Sequence, residues 1–381
     1  MNVLELYSGV GGMHMAAEDS GLPLLVVSAV DINTAANGVY RYNFPKTHHL
    51  QRNIQSFTAD EMDKMELDVI TMSPPCQPFS RLGRQADTRD ARTSSFLHVL
   101  DVLPRMRRPP RYLLLENVRG FERSEARAAL LDTLRRLGLH WRELLLSPAQ
   151  LGVPNSRTRY YLLARRQPFP FDSPADGVLL DVPYCVCGCD VSDAETCRLC
   201  DRPVLKRLSR YMAEKRSGDS DTPEWDMTPT LGRFLAGAEP EDVAPLLLPD
   251  RLLTRYAELL DIVTPGSRRS CCFTSGYGHL VEGAGSVLLP GGADAEAALG
   301  AAFSSARLLP AGDARRADCL RPLQLRRFSP REVARLMCFP AEFAFPAELG
   351  TRQRYRLTGN SVNVRVVAAL MQLLLAEEGG S

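Results

Sequence analysis

The sequence predicts a doubly wound α/β fold, an open and mostly parallel sheet with helices on both faces, interrupted by a smaller inserted domain. Three observations carry this. Short apolar runs alternate with helical stretches through residues 1–166. The first run leads into a glycine-rich turn and a helix, which is how a nucleotide-binding α/β unit begins. Gly11, Asp31, Cys76 and Glu116 all fall at carboxyl ends of predicted strands, where open sheets of this kind bind ligands.

Val3 to Tyr7 reads as the first strand, running into Ser8-Gly9-Val10-Gly11-Gly12 and a helix from Met13 to about Asp19. The loop is not the dinucleotide pattern G-x-G-x-x-G, so NAD is not implied, and by itself it is also compatible with a plain tight turn. Leu24 to Val30 forms a second strand closed by Asp31, an acid suited to ribose hydroxyls. Asp31 also suits the N-cap of the helix from Asn33 to about Tyr42. Asn53-Ile54 reads as the end of a third strand.

Asp68 to Met72 is a buried strand that enters Ser73-Pro74-Pro75-Cys76-Gln77-Pro78-Phe79. The paired prolines stop the strand and fix the backbone, which leaves Cys76 at the tip of a rigid loop. Residues 81–95, with Arg81, Arg84, Arg89 and Arg92, read as a long polar loop beside it. A helix from about Ser94 to Met106 follows, then a strand from Arg111 to Leu115 that delivers Glu116-Asn117-Val118. Next come a helix from about Ser124 to Leu137, a strand from Trp141 to Leu146, and a strand from Arg159 to Ala164 preceded by Pro154-Asn155-Ser156-Arg157-Thr158.

The alternation breaks near Gln167, and prolines and short segments without helical period run to about Pro322. The expected division is therefore 1–166 for the first part of the main domain, 167–322 for an inserted domain, and 323–381 for the segment completing the main domain. In the last segment Ser329 to Cys338 is helical, and Gly359-Asn360-Ser361-Val362 opens a very apolar final helix to about Ala376. Such a helix belongs against the sheet.

With 381 residues the chain is long enough for about two domains. No apolar run approaches the roughly 20 residues of a membrane span, and no secretory signal is visible at the start. A net charge of +1 gives no global electrostatic case for nucleic acid, so any such case rests on local patches. The ten cysteines then imply a reducing compartment, cytoplasmic with the nucleus as a second location.

A cysteine and a glutamate at neighbouring strand ends form a nucleophile and acid pair. None of the six histidines stands where a papain-like base would, so a cysteine hydrolase is disfavoured. A glutamate beside a nucleophile suits a target whose ring nitrogen must be protonated or hydrogen-bonded. Pro74-Pro75-Cys76-Gln77, Glu116-Asn117-Val118, Arg157-Thr158-Arg159 and Gly359-Asn360-Ser361 occur in this order. With Gly11-Gly12, they resemble the cytosine-5 methyltransferases that use S-adenosylmethionine. Gly83-Arg84-Gln85, Ser95-Phe96-Leu97-His98, Cys272-Phe273-Thr274 and Gly276-Tyr277-Gly278 resemble, within that group, the tRNA-aspartate cytosine-38 methyltransferase family. The resemblance covers about residues 1–167 and 244–381.

The resemblance implies a Rossmann-like methyltransferase fold with a target-recognition domain. It implies that Cys76 attacks carbon 6 of the cytosine, that Glu116 holds ring N3, and that Arg159 contacts the base carbonyl and orients Glu116, with Arg157 as its support. For S-adenosylmethionine it implies Val10, Gly11 and Gly12 at the methionine end, Asp31 and Ile32 at the ribose, and Asn53 and Ile54 at the adenine. Ser73, Asn360 and Ser361 would close that site. The Cys272 loop is implied in substrate recognition. The expected partner is tRNA, tRNA-Asp above all, for a monomeric enzyme needing no metal for catalysis. Arg81, Arg84, Arg92 and Arg119 are candidates for phosphate contacts, or simply a solvated charged face. A DNA cytosine-5 methyltransferase and a non-catalytic RNA-binding scaffold remain the alternatives.

The resemblance fails near 183–230, where Cys185-x-Cys187-x-Cys189 and Cys197-x-x-Cys200 cluster. Such thiols can hold tetrahedral zinc. The first group lacks the usual two- to four-residue spacing, so a variable insertion is the plainer reading.

Overall fold

Successive residues of a strand face opposite sides of a sheet, and in this chain both sides of the central strands are apolar. The computed structural model describes residues 1–75, 93–169, 177–180, 182, 228–235, 243–292, 294–310 and 312–376. Its frame is an eight-stranded sheet in the order β3-β2-β1-β4-β5-β7-β6-β8. The strands are β1 (Asn2–Leu6), β2 (Leu25–Asp31), β3 (His48–Gln51), β4 (Val69–Met72), β5 (Tyr112–Val118), β6 (His140–Leu146), β7 (Arg159–Arg165) and β8 (Val178–Leu179). Only β7 runs against its neighbours.

Alternation along the strands sorts the core into two layers. Val3, Val69 and Leu114 face one layer, while Leu4, Leu6, Ile70, Met72, Leu113 and Leu115 face the other. The first layer is covered by α1 (Gly12–Asp19), α2 (Thr34–Asn43) and the final helix Val364–Leu374. The second is covered by α4 (Ser94–Val102) and α5 (Glu125–Arg136), with the short α3 (Ala59–Asp63) contributing Met62. This is the doubly wound arrangement the sequence pattern implied.

Every residue of the final helix except Arg365 is buried. The Asn363 side chain caps its start by accepting the Val366 N–H. Arg165 closes its end by donating to the carbonyls of Leu374 and Ala376.

A smaller three-stranded sheet, in the order β11-β10-β9, is built from β9 (Ile262–Val263), β10 (Val287–Leu288) and β11 (Arg326–Arg327). The large sheet thus continues past residue 167 through β8, and the small sheet continues past residue 322 through β11.

Four local expectations change. The third strand is His48–Gln51. Asn53 instead caps a 3-10 turn at Ile54–Ser56, because its side chain accepts the Gln55 N–H. Gly359-Asn360-Ser361 does not open the final helix: Gly359 ends the helix Thr351–Gly359, and the three residues form the bend between two helices. The region 167–322 does contain a long helix, Asp294–Arg307, whose alanine- and serine-rich sequence carries only a weak apolar stripe. The helix that begins at Ser94 as expected ends at Val102 and passes into a 3-10 turn at Leu103–Arg105 instead of running on to Met106, while residues 76–92 lie outside the described residues.

Leu370 is fully buried in the layer between the final helix and the sheet. Leu370→Ala is expected to lower the unfolding free energy by about 2–5 kcal/mol, whereas Arg365→Ala should stay within about 0.5 kcal/mol. Urea unfolding measures both; equal effects would contradict this packing.

Candidate active site

The reversed strand decides where the site forms. In a parallel sheet the carboxyl ends share one edge, and a strand running the other way begins at that edge. Arg159, the first residue of β7, therefore pairs with Val118 at the carboxyl end of β5, and Tyr161 pairs with Glu116. Residues two apart share a face, which puts Arg157, Arg159, Glu116 and Val118 together.

Glu116 is buried, and Arg159 Nε stands 3.5 Å from its Oε1. Burial pushes the Glu116 carboxyl above its usual range, and Arg159 and then Arg157 pull part of that shift back. Arg157 is only 3% exposed. Its Nη1 donates to the Phe273 carbonyl at 3.2 Å, and its Nη2 to the carbonyls of Gly359 at 3.1 Å and Ser361 at 2.6 Å. One guanidinium thus joins β7, the Cys272 loop and the Gly359–Ser361 bend. Asn155 strengthens the same junction by donating to Ser270 Oγ and the Cys271 carbonyl. Arg157 does not hydrogen-bond Arg159; the two meet at Cys272 Sγ, at 3.5 and 3.8 Å.

These groups form one wall of a cleft of about 500 Å³. Val10, Asp31, Ile32, Asn53, Ile54, Ser73, Asn360 and Ser361 also line it, together with Glu116, Arg157 and Arg159. Gly11 and Gly12 stand behind the wall. A Cβ on Gly12 would lie 2.7 Å from Ser361 Oγ and 2.8 Å from Val362 Cγ2, so the glycine permits the bend to seat against the loop. Gly11 has φ +89° and packs against Phe44. Cys76 lies outside the described residues, as do Arg81, Arg84, Arg89, Arg92 and the five cysteines from Cys185 to Cys200. Pro74 and Pro75, immediately before Cys76, line the cleft. The Asn117 side chain donates to the Pro74 carbonyl at 3.3 Å, which ties that loop to β5.

Asp31 is not the helix cap; Asn33 is, accepting from Ala35 and Ala36. Asp31 accepts the backbone N–H of Gly9 at 2.9 Å on one oxygen and of Asn33 at 2.8 Å on the other. It thereby fixes the glycine loop and keeps acceptor capacity on both oxygens. Beside it, Ile32 is 68% exposed, an apolar platform at the cleft mouth.

Sequence reasoning missed several groups. Tyr7, at φ +57°, bonds Ser95 Oγ through its hydroxyl, and its carbonyl accepts from Ser73 Oγ. Arg52 lines the cleft while paired with Glu61. Behind the glycine loop, burial pushes the Glu5 carboxyl up to about 8; the Tyr40 hydroxyl donates to it and stands 2.7 Å from His14 Nδ1. The position of Tyr7 directly before the loop was the only available signal.

A cleft at the carboxyl edge of an open sheet, with an acid and guanidinium pair in its wall, is the form of a ligand-binding α/β enzyme. The model of the C-5 cytosine-specific DNA methylase family matches residues 1–180 and 301–375. The chain is similar to the mouse protein named tRNA (cytosine(38)-C(5))-methyltransferase, 44% identical over 98% of this chain and 93% of that one. It is also similar to a Dictyostelium discoideum protein named DNA (cytosine-5)-methyltransferase, 35% identical over 99% of this chain and 94% of that one. A crystal structure of a Spodoptera frugiperda DNMT2 mutant superposes with a TM-score of 0.79 at 36% identity, covering 98% of this chain and 99% of that one. The chain belongs to the family of C-5 cytosine-specific methylases.

Arg157→Lys keeps the charge but loses the fork that reaches three carbonyls, and is expected to destabilise the protein by about 2 kcal/mol. Arg159→Lys, with its side chain toward the cleft, should change stability by less than about 1 kcal/mol. Denaturant unfolding of the two variants checks the difference; a larger loss for Arg159→Lys would contradict the clamp.

Proposed function

We propose that this chain transfers a methyl group from S-adenosylmethionine to carbon 5 of a cytosine in tRNA, with cytosine 38 of the tRNA-Asp anticodon loop as the expected target. The observation that carries the proposal is the buried Glu116–Arg159 pair facing the cleft beside the Asn117-anchored Pro74-Pro75 loop that leads into Cys76. The tRNA assignment draws support from the nearly full-length similarity to the mouse tRNA methyltransferase.

The cleft fits the methyl donor. Asp31 retains acceptor positions for ribose hydroxyls beside exposed Ile32, Asn53 and Ile54 line the cleft for the adenine, and Val10, Ser361 and Asn360 line the wall near the glycine loop. When bound, S-adenosylmethionine supplies an electrophilic methyl group on a sulfonium.

In this reading the Cys76 thiolate adds to carbon 6 of the ring. The π pair of C5=C6 shifts to C4–C5 and that of C4=N3 to N3, which takes the Glu116 proton. Carbon 5 of the resulting enamine is nucleophilic and bonds the methyl group as the methyl–sulfur bond of the donor breaks, its electron pair staying on sulfur as a neutral thioether. A base then removes the proton from carbon 5, the bond to Cys76 breaks and releases the thiolate, and N3 returns its proton to Glu116. Arg159 holds the carboxyl in place and faces the base carbonyl oxygen. A raised Glu116 carboxyl suits this role, since a proton donor must be protonated near neutral pH.

A base must leave its stack to enter such a site. An anticodon loop is already single-stranded, which lowers that cost. Exposed Arg119, next to cleft-lining Val118, is placed for phosphate contact. Residues 167–322 would supply target recognition. The name of the Dictyostelium relative favours DNA as a second reading.

Transfer of labelled methyl groups separates these readings. The expected result is incorporation into tRNA-Asp, loss of incorporation when cytosine 38 is replaced by uridine, and little into duplex DNA. Cys76→Ala should abolish transfer, and Glu116→Gln should reduce it by about 10²-fold or more. Incorporation into DNA alone would overturn the substrate assignment, and tRNA binding without any transfer would favour a scaffold.

A further inference from the structure

Arg157 is buried and Arg159 partly buried in the cleft wall, and among the described residues one carboxyl meets their guanidinium groups. Arg159 Nε lies 3.5 Å from Glu116 Oε1, and Arg157 acts on the same carboxyl from further away. Arg157 otherwise meets backbone carbonyls through Nη1 and Nη2, and these carry no net charge. Tyr161 also faces this cluster. Burial, and then the charge of Glu116, push its hydroxyl far above physiological pH, so it stays neutral.

The other titratable group is Cys272, brought in by the loop that precedes Phe273. Its Sγ lies 3.5 Å from Arg157 Nη1 and 3.8 Å from Arg159 Nη2. A buried charge without a counter-charge is unfavourable, and a thiolate accepts from both donors. Burial works to keep this thiol protonated, yet the charges of Arg157 and Arg159 outweigh it and bring Cys272 below the ordinary thiol value. Burial, and then Asp261, push the neighbouring Cys271 thiol the opposite way.

We propose that Cys272 is a positioning residue for methyl transfer: its sulfur, gripped by Arg157 and Arg159, is the counter-charge that shares Arg159 with Glu116 and keeps the Glu116 proton available for the target base. The inference rests on the reading of Glu116 as the group that holds ring N3. The sulfur acts through Arg159 and takes no bond to the substrate. With an anion at Cys272, Arg159 is divided between two acids and the Glu116 carboxyl stays raised. With a neutral side chain there, Arg159 turns wholly to Glu116, which then loses its proton at lower pH.

Two measurements test this. In the unmodified protein, alkylation of Cys272 by iodoacetamide is followed across pH by mass spectrometry of its peptide. The expected midpoint lies below that of the same cysteine in the denatured protein; a midpoint at or above that control would overturn the proposal. Single-turnover methyl transfer is then measured across pH for Cys272→Ser and Cys272→Asp. The alkaline limb of the profile should move down by about one pH unit in Cys272→Ser and return toward the original in Cys272→Asp, which restores an anion. A Cys272→Ser limb that superimposes on that of the unmodified protein would also overturn it. Methyl transfer retained by Cys76→Ala would instead defeat the functional reading, while the alkylation midpoint would stand by itself.

Discussion

One buried guanidinium holds the site together. Arg157 bonds the carbonyls of Phe273, Gly359 and Ser361, segments 116 to 204 residues away along the chain. Each bond from a charged donor to a buried carbonyl contributes about 1.5–3 kcal/mol. The larger consequence is geometric. The bend at Gly359 packs so closely on Thr274 and Ser275 that a Cβ there would collide with their backbone. The β7 entry, the Cys272 loop and the bend before the final helix therefore meet in one arrangement, and the cleft wall is their shared surface.

The second constraint is the direction of β7. The other seven strands of the large sheet place their carboxyl ends at one edge, and the reversed strand starts there. Glu116 thus leaves β5 and Arg159 enters β7 at the same level, two neighbouring side chains on one face. A parallel β7 would have carried Arg159 to the far edge. Sheet topology, more than loop sequence, pairs an acid whose carboxyl burial pushes up with the cation that orients it.

Much of this was legible in the chain because strands and ligand edges obey simple periodicities. Alternating apolar runs identified the sheet, and Asp31, Ser73 and Glu116 stood at strand ends where the cleft lies. The chain order of short motifs pointed to the family to which the chain belongs. What escaped depended on contacts between distant residues. The resemblance set Arg159 beside Glu116, but nothing in Arg157-Thr158-Arg159 says that the first arginine clamps the Cys272 loop to the Gly359–Ser361 bend. Asn53 read as a strand end because a capping asparagine and a strand terminus look alike in sequence. The helix Asp294–Arg307 was missed because small residues blur its apolar face. Cys272 entered only as part of a loop implied in substrate recognition, and its two arginine neighbours are visible only in the fold.

The proposed reaction brings together a strand-end acid, the cysteine that follows Pro74-Pro75 and a donor cleft in one covalent methyl transfer. The most direct measurement uses tRNA-Asp carrying 5-fluorocytidine at position 38 with S-adenosylmethionine. Fluorine at carbon 5 cannot leave as a proton does, so the adduct formed after methyl transfer cannot release the enzyme. The account predicts a denaturation-resistant protein–tRNA complex whose cross-linked peptide contains Cys76 and whose formation requires the methyl donor. No trapped complex with a catalytically competent preparation, or a cross-link at another cysteine, would contradict it.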